Sequence, residues 1–405
     1  MFILFLFFVP SYTFAGGFQV NLQGQKQTGM GHTGTGLFLD ASSILFNPGA
    51  LSFLERNSFI VGGSFIFPSI AYLEPYPGIY TAELVPQVGT PFAIYSSFKT
   101  NTESKFTYGL GIYTPFGSSA KWEDDWKGQF LVREINLKAI FIQPTISFKV
   151  TDNIGIGAGF IYATGAFGLR KGIPIENASG AYGEAELSGK AAGYGYNAGI
   201  LFKATEKLSI GLDYRSAVKV AIDNGAATFS VPDAVKEFFP NTSFTTSITL
   251  PSVSTLGIGY QLSEKTLLAV DINFIGWSSY DTLSFDFEEN TDKLADVASP
   301  RAYEDVFIFR IGAQHALNEK AAVRLGSYYD MSPVQSGYLT PETPDADKLG
   351  VTAGVTYQFT ENFKLDLSFL FIEGKKRTDT NLETDFGGTY KSRAFIPGIG
   401  LDFCF

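Results

Sequence analysis

The chain has 405 residues, of which 17% are charged and 15% aromatic, and its 40 acidic and 30 basic side chains give a net charge of −10. A charged share below the usual ~25% is atypical of a soluble domain. The 45% apolar share excludes disorder, and the acidic balance without a basic, aromatic-interleaved patch excludes nucleic acid as a partner. One cysteine, Cys404, and two histidines, His32 and His315, leave no disulfide scaffold, no multi-cysteine metal site and little for general-base catalysis.

Residues 1–9 are wholly apolar, Pro10 ends the run, and Ser11-Tyr12-Thr13-Phe14-Ala15 follows. Nine residues are too few to span a bilayer, which takes about 20 as a helix. An apolar core followed by small residues predicts a secretory signal peptide over 1–15, cut after Ala15. Residues 16–51 are Gly-rich and show no clean period of two. Gly29-Met30-Gly31-His32-Thr33-Gly34 fits a dinucleotide-binding pattern on paper, but it follows Gln25-Lys26-Gln27-Thr28 rather than a buried strand, and no βαβ unit surrounds it. No cofactor is expected.

From there on the sequence alternates. Leu208, Ile210, Leu212 and Tyr214 interleave with Ser209, Gly211, Asp213 and Arg215. Val351, Ala353, Val355, Tyr357 and Phe359 interleave with Thr352, Gly354, Thr356 and Gln358, and Leu365, Leu367, Phe369 and Phe371 with Lys364, Asp366 and Ser368. A period of two means strands with one apolar and one polar face. Fourteen such strands are predicted, over 57–67, 91–99, 105–116, 129–150, 154–164, 184–203, 207–222, 242–262, 266–280, 306–317, 321–331, 349–359, 363–373 and 389–405. Connections of two or three polar residues (Thr151-Asp152-Asn153, Thr205-Glu206, Ser263-Glu264-Lys265, Asn318-Glu319-Lys320, Thr360-Glu361-Asn362) alternate with long ones. Short turns at one end and long loops at the other mark a bacterial outer-membrane barrel. A β-sandwich has no reason to keep that parity. The fold class is therefore all-β: a 14-stranded antiparallel transmembrane β-barrel over 52–405, with 16–51 folded into its lumen as a hatch. The last strand places Phe395, Ile399, Leu401, Phe403 and the terminal Phe405 on one face, as in the signal read by the barrel-assembly machinery. Closure of the barrel pairs this strand with the first one, which removes the free edge.

Several stretches carry a family likeness. They are Gly29-Met30-Gly31, Gly34-Thr35-Gly36, Asp40-Ala41-Ser42-Ser43 and Phe46-Asn47-Pro48-Gly49-Ala50-Leu51, then Pro115-Phe116-Gly117 with Trp126-Lys127-Gly128, Leu250-Pro251 before Gly257, and Trp277-Ser278. The longest runs from Tyr329-Asp330 through Ser332-Pro333-Val334 to Thr340-Pro341-Glu342-Thr343-Pro344-Asp345-Ala346-Asp347-Lys348. In this order the chain resembles the FadL/TodX-type outer-membrane transporters of long-chain fatty acids and hydrocarbons. It departs from them at Gly49-Ala50, where many members read Ala-Gly, and at Lys348, where many have Arg. The resemblance implies passive uptake of hydrophobic small molecules through a plugged lumen, a gating hatch and a sideways opening at a kinked third strand. It places the protein in the outer membrane, with lipid and lipopolysaccharide as neighbours.

Candidate residues follow from both readings. Pro48 holds Asn47 extended, and Asn47-Pro48-Gly49 is expected to pin and gate the hatch. Pro115 cannot donate to a ladder, so Pro115-Phe116-Gly117 predicts either the lateral kink or a strand end. Val235, Phe238 and Phe239 form an apolar cluster suited to substrate. Arg215, Arg310 and Arg324 fall on polar, lumen-facing positions, where each could take a carboxylate or pair with a neighbouring Asp. The acidic stretch Asp286, Glu288, Glu289, Asp292 and Asp296 fits no calcium-loop spacing, and no metal site is expected. Without a Gly-x-Ser-x-Gly elbow or a nucleophile–base pair, the protein is not expected to be an enzyme. A general diffusion porin is the alternative; it would have an open, charged lumen and no Gly-rich plug.

Overall fold

The computed structural model describes residues 17–101 and 103–405. The signal peptide expected over 1–15 lies outside them. Among the described residues, fourteen antiparallel strands close into one barrel. They are β1 (Ser58–Ser64, continuing as Phe67–Leu73), β2 (Phe92–Phe98), β3 (Phe106–Lys121), β4 (Glu134–Lys149), β5 (Ile154–Glu176), β6 (Tyr182–Lys203) and β7 (Leu208–Arg215, continuing as Val218–Ser230). The second half comprises β8 (Thr242–Leu250 and Ser252–Ser263), β9 (Thr266–Gly276), β10 (Val306–Ala316), β11 (Ala321–Asp330), β12 (Lys348–Thr360), β13 (Phe363–Gly374) and β14 (Gly387–Cys404). The seam joins β1 to β14, from Ser58 opposite Cys404 to Ser64 opposite Gly398.

The alternation resolves into an inverted protein. On β12, Leu349, Val351, Val355, Tyr357 and Phe359 are exposed, whereas Thr352 and Thr356 are buried. The same holds on β9, where Leu268, Val270, Ile272 and Phe274 face out and Asp271 and Asn273 face in. An apolar exterior around a polar interior suits a wall set in lipid.

Several strands outrun their predicted ends. β5 reaches Glu176, β7 reaches Ser230 and β3 passes through Pro115 to Lys121. Beyond the bilayer both faces of such ribbons meet protein or water, so the apolar/polar contrast fades while backbone pairing continues. Pro115 does not end β3. The β3–β4 register instead slips between Tyr113 and Phe116, a bulge that accommodates the missing donor. In the other direction β4 begins only at Glu134, because the chain turns tightly between Trp126 and Val132. Pro251 splits β8 for the same reason that Pro115 bulges β3.

Residues 17–54 fill the lumen. They carry two one-turn helices, α1 (Gln25–Thr28) and α2 (Ser43–Phe46), and a 3-10 turn, Pro48–Phe53. Almost every residue of the segment is buried against the inner faces of the strands. Small residues allow backbone to meet backbone. A Cβ on Gly36 would lie 2.8 Å from Gly259 N, and one on Gly49 would lie 2.7 Å from Gly155 O and 2.8 Å from Gly199 O.

Candidate functional site

The lumen segment is bound to the wall by polar groups that strand alternation points inward. Asp271 accepts from the backbone N–H groups of Gly34 and Thr35 at 2.9 and 3.0 Å. Asn47 donates to Thr35 O and Ile200 O at 2.9 and 3.0 Å, while its Oδ1 caps Gly49 N at 3.0 Å. One amide thus joins two parts of the hatch to β6. Gln143 and Asn197 both donate to Ile44 O.

The most charged anchor is Lys26. Its Nζ lies 2.6 Å from Asp402 on β14, 3.0 Å from Asp40 in the hatch and 3.7 Å from Asp366 on β13. Burial works against the ammonium, but the three carboxylates outweigh it and raise its pKa. Burial likewise opposes the Asp40 carboxylate, yet Lys26 and Ser42 hold its pKa below the ordinary value.

Two of the three predicted lumen arginines serve this same contact, and the third pairs within the wall. Arg215 Nη2 donates to Leu45 O at 2.7 Å and Arg310 Nη1 to His32 O at 3.1 Å. Arg324 donates to Gln314 and Thr356 and lies 3.6 Å from Asp366. None of them lines either of the two apolar cavities described next.

At the kink, the chain start adds a strand-like stretch to β3. Val20 N donates to Pro115 O at 2.8 Å and Gly117 N to Phe18 O at 3.1 Å, with Gln19 bridged to Phe116. Phe18 packs edge-on against Trp277, ring centroids 4.8 Å apart, and Phe116 lies 6.3 Å from the same indole. β2 starts only at Phe92, so the part of β3 above Phe116 has no β2 neighbour. A cavity of ≈ 660 Å³ occupies that place. Val20, Phe116, Leu137 and Phe167 reach it from the inward face, and Lys138 and Gly168 from the outward face, so it straddles the wall. A Cβ on Gly117 would meet only Leu137 O at 3.2 Å and Val20 at 3.8 Å.

A second cavity, ≈ 370 Å³, sits among the long loops. Leu169 of β5, Ala185 and Leu187 of β6, Phe229 of β7, and Leu283, Phe285, Phe287 and Leu294 of the loop after β9 form its apolar wall. Of the predicted cluster, Phe239 lines it and packs on Phe229 at 6.0 Å. Phe238 offers its carbonyl to Thr291, and neither it nor Val235 is among the lining residues. Buried Arg301 pairs with Glu342 at 2.6 Å; burial disfavours its charge, but Glu342 outweighs that and raises its pKa. Lys171 and Lys293 line the cavity without a carboxylate partner among the described residues. Sequence reading passed over these lining positions as loop. Their signal was present, since Leu283, Phe285 and Phe287 alternate with Ser284, Asp286 and Glu288. The predicted acidic loop is part of this hairpin, where Asp296 accepts from Phe287 N and Glu288 from Ser243.

A closed barrel with an apolar exterior, a filled lumen and apolar cavities at the mouth and in the wall defines an outer-membrane transport protein. The chain belongs to the OMPP1/FadL/TodX family of outer membrane transport proteins, whose family model matches residues 6–405. It is 24% identical to outer membrane protein P1 of Haemophilus influenzae, covering 96% of this chain and 95% of that one. It is 21% identical to a long-chain fatty acid transport protein of Escherichia coli, covering 98% and 96%. Its fold matches a FadL homologue of Pseudomonas aeruginosa with a TM-score of 0.84 at 18% identity, covering 96% of this chain and 99% of that chain. The toluene transporter TodX of P. putida matches with a TM-score of 0.72 at 18% identity, covering 94% and 97%.

Proposed function

We propose that this protein takes up long-chain fatty acids or related hydrocarbons, passively, and delivers them sideways into the bilayer through the wall cavity. The observation that carries this reading is the pair of apolar cavities set beside a lumen sealed by charged and backbone contacts. Returning apolar surface to water costs ~25 cal/mol per Å², so a water-filled axial pore would be a barrier to such a molecule. The loop cavity first removes the molecule from water. The wall cavity at Pro115-Phe116-Gly117 then lets it leave without crossing the polar hatch. Val235 and Phe238 flank the mouth beside Phe239, and Lys171 and Lys293 can receive a carboxylate head group where the substrate carries one. Asn47, Pro48 and Gly49 keep the hatch seated. Around the barrel, the acidic outer loops adjoin lipopolysaccharide, and the strand ending at Phe405 presents the assembly signal. Mass spectrometry of lipid co-purified with the folded barrel tests the substrate class. Recovery of only polar solutes, or uptake of radiolabelled oleate and toluene unchanged by Leu294→Asp in the loop cavity, would overturn the reading.

A further inference from the structure

The two cavities share no lining residue, yet both reach the inward face of β5, where Phe167 lines the wall cavity and Leu169 the loop cavity. Between them stands an aromatic pair. Phe167 borders the wall cavity, Phe285 borders the loop cavity, and their ring centroids are 5.8 Å apart. We propose that Phe167 and Phe285 form the door between the two cavities and set the size of the molecule that passes. The proposal rests on the reading of these cavities as successive stations for an apolar substrate.

The two rings are held very differently. Phe285 is 5% exposed and packs edge-on against Phe244 at 5.6 Å, within a hairpin in which it pairs with Val297. It is the fixed side. Phe167 is only half-buried, and its cross-strand neighbour on β6 is Gly189, which offers no side chain to brace it. On its other side it meets Leu137 of β4, itself a wall-cavity residue. Gly165 and Gly168 flank it along β5, and a Cβ on Gly168 would touch nothing within 4 Å. A ring with a ≈ 660 Å³ cavity beside it and no side-chain brace from β6 can swing by a χ1 rotation, a motion fast in partly exposed side chains. Swinging toward the wall cavity opens the way from Leu169 to Phe116. The cost to an apolar passenger is small, because one apolar contact replaces another.

The test uses the full chain in cells without a comparable transporter, with radiolabelled toluene as a slim probe and oleate as a bulky one. Phe167→Ala widens the door, so the oleate rate rises relative to toluene, while Phe167→Trp lowers both, oleate more. A reversible version guards against misfolding. Phe167→Cys with Phe285→Cys, in a Cys404→Ser background, is bridged by a short reducible thiol cross-linker; uptake falls on bridging and returns on reduction in the same sample. If uptake survives bridging while Leu294→Asp abolishes it, the door is wrong and the loop-cavity reading stands. If Leu294→Asp also leaves uptake intact, that reading fails and the door fails with it.

Discussion

Lys26→Met removes the cation shared by three carboxylates while keeping a side chain of similar length. Asp40 and Asp402 are 6% and 2% exposed at the side chain, so neither can recover hydration without moving the hatch. Leaving a buried charge without its partner costs about 3–5 kcal/mol. At 1.4 kcal/mol per tenfold, release of the hatch becomes about two to three and a half orders of magnitude more frequent. Hydrogen exchange of the Gln25–Phe46 amides in detergent-solubilised barrel reads this directly, while the β-strand amides serve as an internal control. The effect depends on pH. In the native protein Asp40 is held below its ordinary pKa, so its contribution is complete above about pH 4 and is lost as pH falls through the lowered value. Without Lys26, burial of Asp40 is opposed only by the Ser42 hydrogen bonds, which moves the carboxyl toward its protonated form. The gap between variant and wild type is therefore widest at neutral pH and narrows in acid. Equal hatch exchange in the two proteins at pH 7 would show that the cluster does not pin the segment.

Gly49→Val places a side chain where a Cβ already lies within 2.8 Å of two β-strand carbonyls, so the hatch lifts. Planar-bilayer recording of this variant shows steady ionic current, whereas wild type shows little; a large steady wild-type current would point to a porin. Asn47→Ala with Pro48→Ala removes three hydrogen bonds, each worth about 1 kcal/mol, and lowers uptake while heat-modifiable migration stays normal. Gly117→Trp fits its ring into the open wall cavity and cuts oleate uptake in folded barrels; unaffected uptake would send the substrate along the axis instead.

Strand number and register were legible because lipid enforces strict alternation. The Asn318-Glu319-Lys320 turn alone fixes Arg310 opposite Tyr328 and Arg324 opposite Gln314, as observed. The same alternation by itself is blind to direction; the parity of short turns and long loops turned Leu349 and Val351 outward, as their exposure shows. Extracellular ribbons such as Leu283–Phe287 lie outside the lipid, so their weaker contrast read as loop. The arginines show a deeper limit. Sequence places Arg215 and Arg310 in the lumen but cannot reveal that hatch carbonyls some 170 and 278 residues away take their protons. Lys26 gave no signal at all, because its wall partner Asp402 lies 376 residues along the chain.

Lys26 also couples the first part of the chain to the last. Two of its acceptors, Asp366 and Asp402, lie on β13 and β14, the final strands made. A barrel that zipped its seam around an empty lumen would enclose both carboxylates with Arg324 as the nearest cation. It would also have to admit a 38-residue segment whose glycines meet the wall backbone to backbone. Closure with the segment already inside meets neither obstacle. The ion cluster at Lys26 is complete only with β13 and β14 in place around the segment, so the filled lumen and the closed seam share one set of contacts.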